Sequence, residues 1–144
     1  MNKELKIILA EDDEGHATLI QRNLRRSGLM NEIHHFTDGQ QALDYLEEMK
    51  MKKSDLPALL LLDIKMPKVN GIDVLRKVKG DPVLKKMPVI MITTTDDPRE
   101  IARCHELGCS NYIKKPIDYE NFVDAIRKLG LFLLVVEIPD LKKA

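Results

Sequence analysis

Cysteine is scarce. Only Cys104 and Cys109 occur in 144 residues, and their spacing fits neither a CxxC motif nor a disulfide framework. They read as buried or inert thiols in a reducing cytoplasm. Net charge is absent too: 23 basic residues balance 23 acidic ones, so no overall field favours nucleic acid or an anionic membrane. No apolar run approaches the length that spans a bilayer, and the N-terminus MNKELKIILA has no secretory h-region or cleavage site. Neither a repeat nor a low-complexity linker interrupts the chain. These absences lead us to expect one cytoplasmic domain, long enough to bury a single core.

What is present is organised around Ala58 to Gly71, ALLLLDIKMPKVNG. A short continuous apolar run closed by turn residues reads as a strand buried on both faces, as in a parallel sheet. It ends on a carboxylate, Asp63. In open α/β sheets ligands sit beyond the carboxyl ends of the strands, so the question is what else points at Asp63.

Around it strand and helix patterns alternate five times. Leu5 to Ala10 is a strand ending on Glu11-Asp12-Asp13, and Glu14 to Arg26 a helix with Ala17, Ile20 and Leu24 on one face. Ile33 to Phe36 is a second strand; Thr37-Asp38 caps a helix from Gln40 to Met49, and MKMKKSDLP is a loop. Gly71 opens a helix using Val74, Leu75 and Val78, and KGDPVLKKMP is a loop. Val89 to Ile92 is a fourth strand ending in Thr93-Thr94-Thr95. Asp97-Pro98-Arg99-Glu100 is a strong helix start, and that helix stops at Gly108. Asn111 to Lys114 is a fifth strand, followed by Lys115-Pro116 and a last helix from the Asp118 cap to about Leu129. The pattern predicts a flavodoxin-like (βα)5 doubly wound parallel sheet with strand order 2-1-3-4-5.

Polar groups therefore collect at the carboxyl ends of four strands: Glu11-Asp12-Asp13, Asp63, Thr93 and Lys115. Crowded carboxylates stay ionised only with a cation among them, and oxygen-only ligands suit Mg²⁺. A metal, a lysine and a hydroxyl around one carboxylate form a phosphoryl-transfer site, with Asp63 as nucleophile.

On these residues the chain resembles the receiver domains of bacterial two-component response regulators. The matching features are Glu11-Asp12-Asp13, Asp63-Ile-Lys-Met-Pro with Gly71 eight positions on, Thr93, and Lys115-Pro116, together covering about residues 5 to 130. The resemblance implies that Asp63 accepts phosphate from a histidine kinase. It also implies that Glu11, Asp12, Asp63 and the backbone carbonyl of Lys65 serve the Mg²⁺ site, with Asp13 outside it. Thr93 and Tyr112 fall at the family's switch positions; for Tyr112 a half-buried strand tyrosine is an equal reading. Lys65 and Thr95 fall at positions that tune phosphoryl lifetime, and the proline after the conserved-type lysine is typically cis in the family, aiming Lys115 into the pocket. The segments DPVLKKMPVIMITTTDD and LFLLVVEIP further resemble the stand-alone receivers that partner phytochromes.

The bland readings differ in weight. An isolated Asp63 would be a helix cap, and Glu11 to Glu14 an acidic first turn. His16, His34, His35 and His105 read as surface histidines, with no metal-ligand spacing. Leu131 to Ile138, seven apolar residues in eight after Gly130, must cover its own domain or a second copy; analogy with the phytochrome-linked receivers favours a homodimer. We expect residues 1–130 to form the receiver and 131–144 an extension without an output domain, leaving a protein–protein output and no nucleic-acid or membrane partner. A metal-dependent hydrolase would want a second carboxylate where Lys65 stands. A flavin domain would want a Ser/Thr/Gly-rich loop where Glu11-Asp12-Asp13 stands. A degenerate receiver used only for binding would not need Asp63, Thr93 and Lys115 intact.

Overall fold

The structure, a computed structural model, describes residues 5–52 and 58–138. Strands β1 (Lys6–Ala10), β2 (Ile33–Phe36), β3 (Ala58–Leu62), β4 (Val89–Thr93) and β5 (Asn111–Lys114) form one parallel sheet in the order β2-β1-β3-β4-β5. Helices α1 (Glu14–Arg26), α2 (Gly39–Met51), α3 (Gly71–Lys79), α4 (Pro98–Leu107) and α5 (Tyr119–Val135) connect them. This is the flavodoxin-like arrangement that the sequence predicts.

The two-residue period of a strand explains the layers. Ile8, Ala10, Leu60, Leu62, Val89 and Met91 face one side, where they meet Leu46, Val74, Val78 and Cys104 from α2, α3 and α4. Their neighbours Ile7, Leu9, Leu59, Leu61, Ile90 and Ile92 face the other, against Ile20 and Leu24 of α1 and Phe122 and Ile126 of α5. Both faces of β3 are covered, as expected for ALLLL. Each helix starts on a side-chain cap, namely Asp13, Asp38, Asn70, Asp97 and Asp118, whose oxygen accepts an N–H of the first turn. Those caps fix where each loop at the carboxyl end of the sheet stops.

Gly71 holds the loop after β3 close to Asp63. Its N–H donates to Ile64 O at 2.8 Å, and a Cβ there would lie 1.9 Å from Asp63 O. Only glycine permits that approach.

Four details differ from the sequence expectation. Helix α5 does not stop near Leu129 but runs through Gly130 to Val135. Gly130 is a contact point rather than a terminator: its missing Cβ leaves room for Ser27 at the end of α1. Helix α2 continues to Met51, since nothing in EEMKM breaks it, and the loop's residues 53–57 lie outside the described part. Leu84–Lys86 form one 3₁₀ turn inside the predicted loop. No peptide bond among the described residues is cis, so the bond before Pro116 is trans, and Lys115 reaches the pocket without it.

The apolar extension is divided between two environments. Leu133 is buried, and Val136 and Ile138 pack on the same core layer. Leu131, Phe132 and Val135 remain exposed, Phe132 at 49% and Val135 at 77%. It therefore covers its own domain with one stripe and presents the other to solvent.

Candidate functional site

At the carboxyl end of β3, Asp63 is only 7% exposed. One of its oxygens accepts the Ile64 N–H at 2.7 Å, and the other accepts from Lys115 Nζ at 3.1 Å. Lys115 is as deeply placed, 3% exposed, and its backbone N–H donates to Thr93 O at 2.7 Å. That bond prolongs the β4–β5 ladder by one residue and turns the side chain over the end of the sheet. The same ammonium donates to Glu11 Oε1. Glu11, 1% exposed, is held by its other oxygen, which accepts the Asp13 N–H at 3.3 Å, and by its backbone carbonyl, which accepts from His35 Nε2 at 2.7 Å.

Glu11, Asp12 and Asp63 bring carboxylate oxygens within 4.8 Å of one another. Burial first, then the adjacent Asp63 carboxylate, pushes the Glu11 carboxyl up to about 8, while Lys115 opposes the rise. Asp13 does not join this group: its carboxylate caps α1 by accepting the His16 N–H at 3.0 Å, and that bond holds it below the usual carboxylate range.

Thr93 is fully buried at the end of β4, and its Oγ1 accepts the Thr95 N–H at 3.4 Å. Thr95 O in turn accepts the Tyr112 hydroxyl at 2.8 Å. A hydrogen-bonded path thus runs from the pocket along the β4–α4 loop to β5. Burial raises the Tyr112 hydroxyl's pKa, so the phenol stays a donor. Thr94 is exposed and lines a pocket together with His16 and Lys115. Lys65 is exposed beyond Asp63, and Lys114 pairs with Asp96 at 3.0 Å in solvent, unlike its buried neighbour.

Of the predicted residues, the structure brings Glu11, Asp12, Asp63 and Lys115 together and places Thr93 and Tyr112 along one connected loop. Two contacts are not among those predicted. His16 Nδ1 lies 3.0 Å from Lys115 Nζ, and His35 supports the Glu11 carbonyl. Helical spacing places His16 one turn before Ile20 on the buried stripe of α1, and strand alternation places His35 on the Ile33 side of β2. Those periodicities were the available signal. The two cysteines are buried as expected, and burial raises both thiols, Cys104 to about 11, which favours the protonated form.

Residues 7–127 match the family model described as the response regulator receiver domain. The chain belongs to that family. Among solved structures, a response regulator receiver domain from Rhodospirillum rubrum superposes with a TM-score of 0.89 at 48% identity, covering 94% of this chain and 97% of that one. Response regulator Rcp1 of Synechocystis is 30% identical, over 92% of each chain. The phosphorylated cyanobacterial phytochrome response regulator RcpA has a TM-score of 0.83 at 30% identity, covering 93% and 97%. Receivers of this family accept phosphoryl groups from histidine kinases and bind Mg²⁺ at an acidic pocket. The donor set here fits such an ion. It offers oxygen ligands only, from three carboxylates close enough to share one cation, in a site where burial already strains Glu11 towards its neutral form. Among the described residues no helix is long and apolar enough to cross a membrane.

Proposed function

We propose that this receiver is a single-domain response regulator that takes a phosphoryl group from a histidine kinase onto Asp63. The observation that carries the reading is the buried Asp63 carboxylate, which accepts from Lys115 and lies beside Glu11 and Asp12 at the mouth of the sheet. Glu11, Asp12, Asp63 and the Lys65 backbone carbonyl hold Mg²⁺. When bound, the ion neutralises carboxylate and phosphoryl oxygens.

The chain's own groups do the rest. An Asp63 oxygen attacks phosphorus, an O–P bond forms, and the donor's N–P bond breaks. The bonding pair returns to the donor's ring nitrogen, and the ring, protonated on its other nitrogen, departs as neutral imidazole. Lys115 stabilises the charge on the phosphoryl oxygens, and Thr93 turns its hydroxyl towards them as a donor. Moving Thr93 draws on Thr95, whose carbonyl anchors Tyr112, so the β4–α4 loop and the face of α4, β5 and α5 shift together. Carrying the population from mostly off to mostly on takes roughly 3–5 kcal/mol of differential stabilisation.

The regulator acts in the cytoplasm through protein–protein contacts, without a nucleic-acid or membrane partner. The receiver includes α5 through Val135, with Leu133 in its core. The exposed stripe of Leu131, Phe132 and Val135 pairs two copies. A phytochrome-type kinase is the favoured donor, since RcpA, a structural neighbour, is a phytochrome response regulator.

The test is intact-protein mass after incubation with acetyl phosphate and Mg²⁺, with and without EDTA, wild type beside Asp63→Asn. One added phosphoryl group, dependent on Mg²⁺ and missing from the variant, is expected. Labelling that persists in Asp63→Asn would remove Asp63 as the acceptor.

A further inference from the structure

We propose that His16 is a positioning residue that holds the Lys115 ammonium on the phosphoacceptor, and that it thereby sets the rate of phosphoryl transfer. The inference rests on the reading of Asp63 and Lys115 just given.

An ammonium carries three N–H donors and no lone pair. The structure gives each proton of Lys115 an acceptor: Glu11 Oε1, Asp63 Oδ2 at 3.1 Å, and His16 Nδ1 at 3.0 Å. Because the ammonium can only donate, Nδ1 is the acceptor of this pair, which calls for the Nε2–H tautomer. His16 is fixed on its own side as well. Its backbone N–H donates to the Asp13 cap at 3.0 Å, its Nδ1 lies 3.7 Å from Asp13 Oδ2, and its ring leans on Phe122 of α5 with centroids 5.5 Å apart. A rigid acceptor on α1 thus meets a lysine from the end of β5, with an aromatic ring from α5 behind it.

The three partners differ in what the reaction does to them. Asp63 changes from a carboxylate to an acyl phosphate. Glu11 belongs to the proposed metal site, where its oxygens answer to the ion. His16 is neither the acceptor nor a carboxylate of the proposed metal site. It is the partner that can hold the long, flexible lysine on target through the whole cycle, at a moment when pairing with the other two is rearranged. Preorganised donors accelerate charge-developing steps because they need not be reoriented.

The experiment uses the full chain, acetyl phosphate and Mg²⁺, with labelling followed by intact mass. His16→Leu, which fills the space without an acceptor, should label five- to twenty-fold more slowly at saturating acetyl phosphate, with the half-saturating concentration little changed. His16→Asn, whose Oδ1 reaches the Nδ1 position, should restore most of the rate. In a Lys115→Ala background the leucine substitution should have no further effect. In the metal-free protein, long-range ¹H–¹⁵N spectra should report His16 as the Nε2–H tautomer. Equal rates for His16→Leu and wild type, a loss that persists without Lys115, or an Nδ1–H tautomer would each overturn the proposal. Failure of the Asp63 reading looks different, since the wild type itself would not label or Asp63→Asn would.

Discussion

Replacing Gly130 with alanine is expected to destabilise the protein, although alanine is the better helix former. Gly130 lies inside α5, so the substitution gains about 1 kcal/mol of helix propensity. Against this, a Cβ on Gly130 would sit 2.0 Å from Ser27 Oγ and 2.7 Å from Ser27 Cβ. Rotating the serine hydroxyl relieves the first overlap and not the second, because Ser27 Cβ is fixed to the backbone that caps α1. The two helices have to part locally, and overpacking of this kind costs about 1–3 kcal/mol. An overlap this deep belongs at the upper end, which leaves a net loss of roughly 2 kcal/mol. Ser27→Gly removes both contacting atoms. In that background Gly130→Ala should show only its propensity gain, so the two sites should couple by up to about 3 kcal/mol. Urea unfolding followed by far-UV circular dichroism, extrapolated linearly, measures all four proteins. A stabilised Gly130→Ala, or a cycle with no coupling, would refute the reasoning and return the end of α5 to the position that the glycine suggests in the sequence.

Three further outcomes can be checked. Glu11 binds its proton more tightly folded than unfolded, its carboxyl being raised from 4.5 to about 8. In EDTA the wild type should therefore lose stability relative to Glu11→Gln as pH rises from about 4.5 to about 8, and no further above that. A pH-independent difference in their urea midpoints would contradict this. Tyr112→Phe removes the hydroxyl that donates to Thr95 O and should cost about 1 kcal/mol without slowing the labelling of Asp63. Slower labelling would move Tyr112 into the transfer step. Phe132→Glu with Val135→Glu should give a monomer by light scattering with the fold intact, because both side chains are exposed. Leu133→Ala should instead cost about 2–5 kcal/mol, because that neighbour is buried against α1. A dimer that survives the double glutamate variant would place the interface elsewhere.

Most of the fold was legible because the signals were local. ALLLL can only be a strand covered on both faces, and Asp97-Pro98 or Gly108 mark helix ends by their own backbone chemistry. The acidic cluster followed from topology, since parallel strands deliver their carboxyl ends to one edge. What the sequence concealed depends on contacts between distant segments. Gly130 resembles a helix stop until Ser27 is seen against it, 103 positions earlier in the chain. His16 resembles a surface residue until Lys115 arrives from β5. Lys115 reaches the pocket over a trans bond, although the resemblance led to a cis one. For Gly130 and His16 the local reading was the default, and a tertiary contact overrode it.

The charges of the pocket argue for why its neutral donors are placed as they are. With Glu11, Asp12 and Asp63 all ionised, as a cation among them would keep them, three carboxylates meet one ammonium and two negative charges remain uncompensated among these four side chains. A divalent ion in the proposed site brings that sum to zero. Phosphorylation then replaces the single charge of Asp63 with about two, so the pocket gains roughly one negative charge that no further cation in the cluster can meet. The remaining resource is hydrogen bonding from neutral donors. Among the described residues the buried Thr93 hydroxyl accepts a long bond from the Thr95 N–H and donates none, which leaves its proton for an anion. Meeting the added charge therefore draws on the hydroxyl nearest the loop that ends on Tyr112. In the proposed cycle the signal leaves the pocket along that loop because it supplies the compensation that the cations cannot.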